Sequence, residues 1–129
     1  MKKYKRGITF GAFDPLHYGH IKLFERAKES CDELIVCVSF PVYIKKHKGR
    51  DEYIPINERI KAVEAIRYVD EVGYQSIKFG KKEAIKAYKP DVIFVGSDWD
   101  PKTFTGEGLG VPVVYLPHTN GISSTILRK

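Results

Sequence analysis

Hydrophobic and polar positions along the 129 residues fall into runs of two kinds. Lys5 to Phe10, with its apolar run Gly7-Ile8-Thr9-Phe10, and Leu34 to Ser39 are short stretches, and Val92-Ile93-Phe94-Val95 is apolar at every position. All three predict strands, and the last reads as buried on both faces. Val69 to Val72 and Val111 to Leu116 read as two more, with Pro112 tolerable near a strand start or edge. Between them lie stretches of helical period. His17 to Ser30 places Ile21, Leu23, Phe24 and Ala27 on one stripe. Ile56 to Tyr68 predicts a helix capped by Asn57, and Lys81 to Tyr88 one that turns Ala84, Ile85 and Tyr88 inward and stops at Lys89-Pro90. Phe40 to Pro55 and Ser97 to Gly110 show no period and are expected to be long loops. Ile122 to Arg128 starts a last helix.

Strand and helix in this alternation imply an α/β fold. The expected form is a single Rossmann-like, doubly wound domain over residues 1–129, with a five-stranded parallel sheet and helices on both faces. Ligands of such sheets sit beyond the carboxyl ends of the strands, where the strand order reverses. The turn at Gly11, the Phe40 and Ser97 loops and the segment from Pro117 to Thr125 all fall there.

Composition narrows the class. Hydrophobic residues make up 43% of the chain, but no apolar run approaches the roughly 20 residues needed to cross a bilayer. The basic start, Met1 to Arg6, leads into a strand and not into the apolar core of a signal peptide. A cytoplasmic protein without membrane insertion is expected. Cys31 and Cys37 lack the spacing of a zinc site, and Cys37 reads as a small buried hydrophobe. The net charge of +6 suits a polyanionic partner. Lys78, Lys81, Lys82, Lys86 and Lys89 read as the solvated face of a helix. Lys45, Lys46, His47, Lys48 and Arg50 lie in the Phe40 loop, where a nucleoside triphosphate accounts for them as well as nucleic acid would.

Candidate chemistry gathers at four places. His17-Tyr18-Gly19-His20 opens a helix directly after a strand and a turn, where unpaired backbone N–H groups make a natural phosphate site. Histidines three apart share one helix face, and Gly19 leaves the backbone open to a ligand. The alternative is a cap and a surface residue. Lysines of the Lys46-His47-Lys48 loop could pair with phosphate oxygens. Gly96-Ser97-Asp98-Trp99 offers a close backbone approach, an acceptor and a flat ring, or simply a capped turn. His118-Thr119-Asn120-Gly121-Ile122-Ser123-Ser124-Thr125 supplies a glycine, hydroxyls and a helix start, enough for a triphosphate or for an ordinary Ser-capped helix.

The run Gly11-Ala12-Phe13-Asp14-Pro15-Leu16-His17-Tyr18-Gly19-His20 resembles the signature of the nucleotidylyltransferase superfamily. Ile66-Arg67-Tyr68-Val69-Asp70-Glu71-Val72 and Thr119 to Thr125 are similar to segments of its small cytidylyltransferase branch, the glycerol-3-phosphate cytidylyltransferases. That resemblance implies CTP and a small phosphorylated acceptor as substrates, pyrophosphate as by-product, Mg²⁺ and a homodimer, with no nucleic acid. It implies catalytic roles for His17, His20, Lys46 and Asp14, with Asp14 near the metal. It implies nucleotide contacts from Phe10, Gly11, Ala12, Phe13, Gly19, Lys48, Arg59, Arg67, Gly96, Asp98, Trp99, Thr119, Gly121, Ile122, Ser123, Ser124 and Thr125. Arg67 and His118 are implied at the acceptor. The chain departs from the branch at His118, where an arginine is usual, and at Phe40-Pro41-Val42, where an acidic residue is usual. A neutral His118 offers one donor in place of a guanidinium fork, so glycerol 3-phosphate is expected to be a poor acceptor. An adenylyltransferase on the same fold is the nearest alternative. A non-catalytic nucleotide- or nucleic-acid-binding module explains the charge but not the histidine pair.

Overall fold

The computed structural model describes residues 2–96 and 105–116. Five parallel strands form one sheet: β1 (Tyr4–Gly11), β2 (Cys31–Ser39), β3 (Glu71–Gln75), β4 (Val92–Gly96) and β5 (Val113–Leu116), in the order β3-β2-β1-β4-β5. The order reverses between β1 and β4, so the crevice lies at their carboxyl ends. Helices α1 (Tyr18–Ser30) and α3 (Ile56–Glu64) cover one face, where Phe24, Ala27 and Val63 pack on Leu34, Val36, Val38 and Phe94. Helix α4 (Lys81–Tyr88) covers the other, with Ala84 on Ile8, Ile35, Cys37, Ile93 and Val95. The expected α/β architecture, strand number and two-sided cover are all present.

The departures are local. Residues 40–55 are not one loop: Pro41–Lys48 form a helix, α2. Pro41 suits a first helical turn, Gly49 ends it in the left-handed region at φ 68°, and the basic last turn complements the dipole. Only Ile44 of this helix is buried, so the apolar period was too short to see. Helix α3 stops at Glu64 instead of Tyr68, and Pro55 precedes it where Asn57 was expected to cap. β3 starts two residues later than expected, because Asp70 N–H donates to Leu34 O and pairing begins with Glu71 opposite Ile35. β2 starts earlier than expected, at Cys31: Glu33 lies opposite Arg6 and pairs with it at 2.6 Å. β5 starts at Val113, since Pro112 has no N–H to give the ladder, though its carbonyl accepts from Ile93 N–H. Asp98, Trp99, His118 and Thr119 to Thr125, with the last expected helix, lie outside the described residues.

Candidate functional site

The site grows from the end of β1. Gly11 has no side chain because one would come within 2.7 Å of Cζ of Phe13. Phe13 takes a left-handed backbone (φ 51°) that folds its ring back, edge-on to Phe24 and to His20 at 5.0 Å. The Asp14-Pro15 peptide is cis. The chain then enters α1 through His17.

Here the two histidines cap the helix reciprocally. Gly19 N–H donates to His17 Nδ1 at 3.0 Å, and His17 N–H donates to His20 Nδ1 at 3.1 Å. The rings stack, 3.8 Å apart and 22° from parallel. Gly19 therefore spends its N–H inside the cap, and the expected open backbone at this residue is not what the site presents. A nitrogen that accepts a hydrogen bond carries no proton, so each neutral ring holds its proton at Nε2. The capping box thus fixes two Nε2–H donors side by side. Burial, the neighbouring His17 and the charge of Lys48 press the His20 pKa down to about 3. His20 is neutral at pH 7, a donor with no charge of its own.

Helix α2 delivers the lysines. Lys48 acts on His20 through its charge, whereas Lys46, two residues back on the helix, leaves by another side and is exposed. Of the expected pair, Lys48 is the one whose charge is felt at His20.

Asp14 and Arg59 are both buried and held by several hydrogen bonds. Asp14, 2% exposed, accepts from Ile54 N–H on Oδ1, and from Tyr53 N–H and the Arg50 guanidinium on Oδ2. Burial raises its pKa, but the Tyr53 N–H, Arg50, the Ile54 N–H and the charge of Arg59 outweigh burial and hold it below the usual carboxylate range. Three donors thus share its two oxygens, and among the described residues no three His, Cys, Asp or Glu side chains gather as a metal cage. These bonds make Asp14 an anchor for residues 50–54. Arg59 is 1% exposed; it donates to the carbonyls of Ile54, Ala12 and Ser39 and pairs with Glu52 at 2.8 Å. It ties the β1 turn to the end of β2 and is not presented to a nucleotide. Glu52 is its counter-ion.

Phe10, Gly11 and Gly96 sit at strand ends beside the crevice, and Ala12 is buried in the turn. Arg67 is not brought to this site. It precedes β3, at the opposite end of the sheet from the strands' carboxyl ends, exposed and held on Tyr68, whose hydroxyl donates to Glu25 of α1. Sequence reasoning also missed Arg50 and Tyr53, which hold Asp14, and Lys81, which leans inward over Phe10. For Lys81 a signal was present: positions 81, 84, 85 and 88 share one helix stripe.

The cytidylyltransferase-like family model matches residues 8–129. The chain is 42% identical over 125 residues to glycerol-3-phosphate cytidylyltransferase of Bacillus subtilis, covering 97% of this chain and 95% of that one. It is 42% identical over 119 residues to FAD synthase of Pyrococcus abyssi, covering 88% and 80%. Among solved structures, the lipopolysaccharide core biosynthesis protein from Thermoplasma volcanium superposes with a TM-score of 0.74 at 25% identity, covering 90% of this chain and 97% of that chain.

Proposed function

The chain belongs to the cytidylyltransferase-like family, and on that premise we propose that it transfers CMP from CTP to a small phosphorylated alcohol, releasing pyrophosphate. That it is a nucleotidyltransferase follows from relatives of both kinds. The observation that carries the reading is the histidine pair, whose reciprocal cap fixes two Nε2–H donors side by side, with the charge of Lys48 felt at His20. An oxygen of the acceptor's phosphate attacks the α-phosphorus of the nucleotide, the bond to the leaving pyrophosphate breaks, and negative charge builds on the α-phosphate oxygens. Donors fixed in advance stabilise such charge without reorganising. The attacking oxygen is already anionic, so no base is needed, and a neutral His20 suits a donor better than an acid. Both histidines are held in one tautomer by backbone, which supports positioning as their work.

Support for CTP comes from the glycerol-3-phosphate cytidylyltransferase of B. subtilis, which this chain matches over 97% of its length. Adenylyl transfer from ATP is the second reading, favoured by the equal identity to FAD synthase over a shorter span. The test is pyrophosphate release with CTP or ATP against a panel of acceptors: glycerol 3-phosphate, other polyol phosphates, phosphonates and FMN. CTP with a phosphorylated alcohol is the expected pair. Release only with ATP and FMN would replace this reading by the second, and release with neither nucleotide would overturn both.

A further inference from the structure

We propose that the corner of the molecule where β2 and β3 end docks on a lipid bilayer that presents acidic headgroups. The inference goes beyond the nucleotidyl-transfer reading and does not depend on it. Five large hydrophobic side chains stand exposed among the described residues, and three of them, Val42, Tyr74 and Ile77, belong to this corner. Phe40 follows β2, and its N–H donates to Gln75 O at 2.8 Å, which sets the start of α2 beside the end of β3. The Phe40 ring stacks on Tyr74 with 4.8 Å between centres, and Tyr74 packs on Phe79 at 5.2 Å. Ile77 and Lys78 form the tip of a turn closed at its base: Ser76 N–H donates to Phe79 O at 2.9 Å, and Phe79 N–H to Ser76 Oγ at 3.1 Å. Val42 on α2 and Ile77 on this turn are exposed beside one aromatic cluster whose backbone is pinned. A patch fixed in this way loses little freedom when it is covered.

The charge of the chain lies on the segments that build this corner. Residues 40–49 and 76–90 hold eight lysines and one acidic residue, Glu83, enough to account for the whole net charge of +6. Lys48 is felt at His20 and Lys81 leans over Phe10; the other six, Lys45, Lys46, Lys78, Lys82, Lys86 and Lys89, are all exposed. Little offsets them. Glu83 accepts from Gly80 N–H at 3.0 Å, and Asp51 reaches Lys45 only at 3.7 Å, between two exposed side chains. An apolar tip within a field of lysines fits a partner that is anionic and also takes in hydrocarbon side chains. A second copy of this chain would set the same lysines against each other. A nucleic acid would stack its bases on open ring faces, but these rings spend faces on one another, and the most exposed side chains of the patch are the aliphatic Val42 and Ile77. A bilayer with acidic headgroups meets both needs, with the lysines at headgroup level and Val42 and Ile77 beneath it.

The test is co-sedimentation of the full chain with sucrose-loaded vesicles, made of phosphatidylcholine alone or of phosphatidylcholine and phosphatidylglycerol in equal parts. At about 0.1 M salt the wild type is expected to bind the mixed vesicles and not the neutral ones, and to be released as the salt is raised to about 0.5 M. The doubly substituted Val42→Ser/Ile77→Ser should bind the mixed vesicles at least about tenfold more weakly. Lys78→Gln/Lys82→Gln should lose at least as much. The pair Lys3→Gln/Lys5→Gln makes the same change of charge at the amino ends of the strands and should stay within about twofold. All six positions are exposed, so thermal midpoints should remain within about 3 °C of the wild type, which reports that each variant is folded. Absence of wild-type binding to the mixed vesicles, or undiminished binding by Val42→Ser/Ile77→Ser, would overturn the proposal. An equal loss in Lys3→Gln/Lys5→Gln would do the same, by showing that net charge alone is read. Tighter binding to single-stranded RNA than to the mixed vesicles would give the face to nucleic acid. A dimer in sedimentation velocity that Val42→Ser/Ile77→Ser takes apart would give it to a second copy. Either result overturns the bilayer assignment.

Discussion

At the scale of single residues, the histidines do two jobs that can be separated. His17 caps α1 with Nδ1 and presents a proton at Nε2. Asparagine is among the best N-cap residues and can accept from the same N–H, but it reaches no further. His17→Asn is therefore expected to keep nearly all the stability and to lose turnover by about 10²–10³-fold, the usual effect of removing one fixed donor. His17→Ala should lose the same turnover and about 1 kcal/mol of stability besides. Urea denaturation and steady-state pyrophosphate release on both variants check this. Near-normal turnover in His17→Asn would reduce His17 to a cap. Arg59 shows why such roles resist reading from sequence. A motif position says that an arginine is wanted, but only geometry says that its donors are spent on three carbonyls and Glu52.

At the scale of elements, the signals that survived from sequence were those repeated over several residues. Val92 to Val95 and the α1 stripe are long enough for burial to dominate, and Phe24 and Ala27 are indeed fully buried. What stayed hidden was decided by few residues or by contacts from far along the chain. Helix α2 rests on one buried side chain, and the start of β2 on a pairing between Glu33 and Arg6 across 27 residues. The inward turn of Lys81 was visible as a spacing, yet five lysines in one stretch read more simply as a solvated face. The hidden helix also separates the two lysines. Because α2 is helical, Lys46 and Lys48 leave it by different sides, and only the charge of Lys48 is felt at His20. Lys48→Ala is expected to lower turnover at least about tenfold more than Lys46→Ala, a difference of about 1.4 kcal/mol in transition-state stabilisation. It should also raise the His20 pKa, since the charge that helped to depress it is gone. Kinetics and an NMR titration of the imidazole report the two effects independently. If Lys46→Ala proves the more damaging variant, the assignment returns to Lys46.

At the scale of the whole molecule, the same groups that shape the site make the fold sensitive to acid, and the sign can be worked out. His20 has a folded pKa of about 3 against an ordinary 6.5. Between those values the unfolded chain binds a proton that the folded chain refuses, so stability falls as the pH drops from about 6.5. Asp14 and Asp70 have folded values below the ordinary carboxylate value: burial opposes the shift, but their hydrogen bonds and cationic neighbours prevail. Their contribution is present above the unfolded carboxylate pKa and is lost only as the pH falls past about 4. Acidification should therefore lower the thermal midpoint in two stages, the first set by an imidazole and the second by carboxylates. His20→Asn removes the titrating ring while leaving a short side chain that accepts at the His17 N–H. It should flatten the stage between about pH 6.5 and 4.5 and leave the lower one in place. Scanning fluorimetry of wild type and variant from about pH 8 to 3 would show it. A wild-type midpoint level down to about pH 4.5 would mean that His20 takes up its proton freely in the folded chain. The tautomer argument, and with it the neutral donor assigned to the site, would then be wrong.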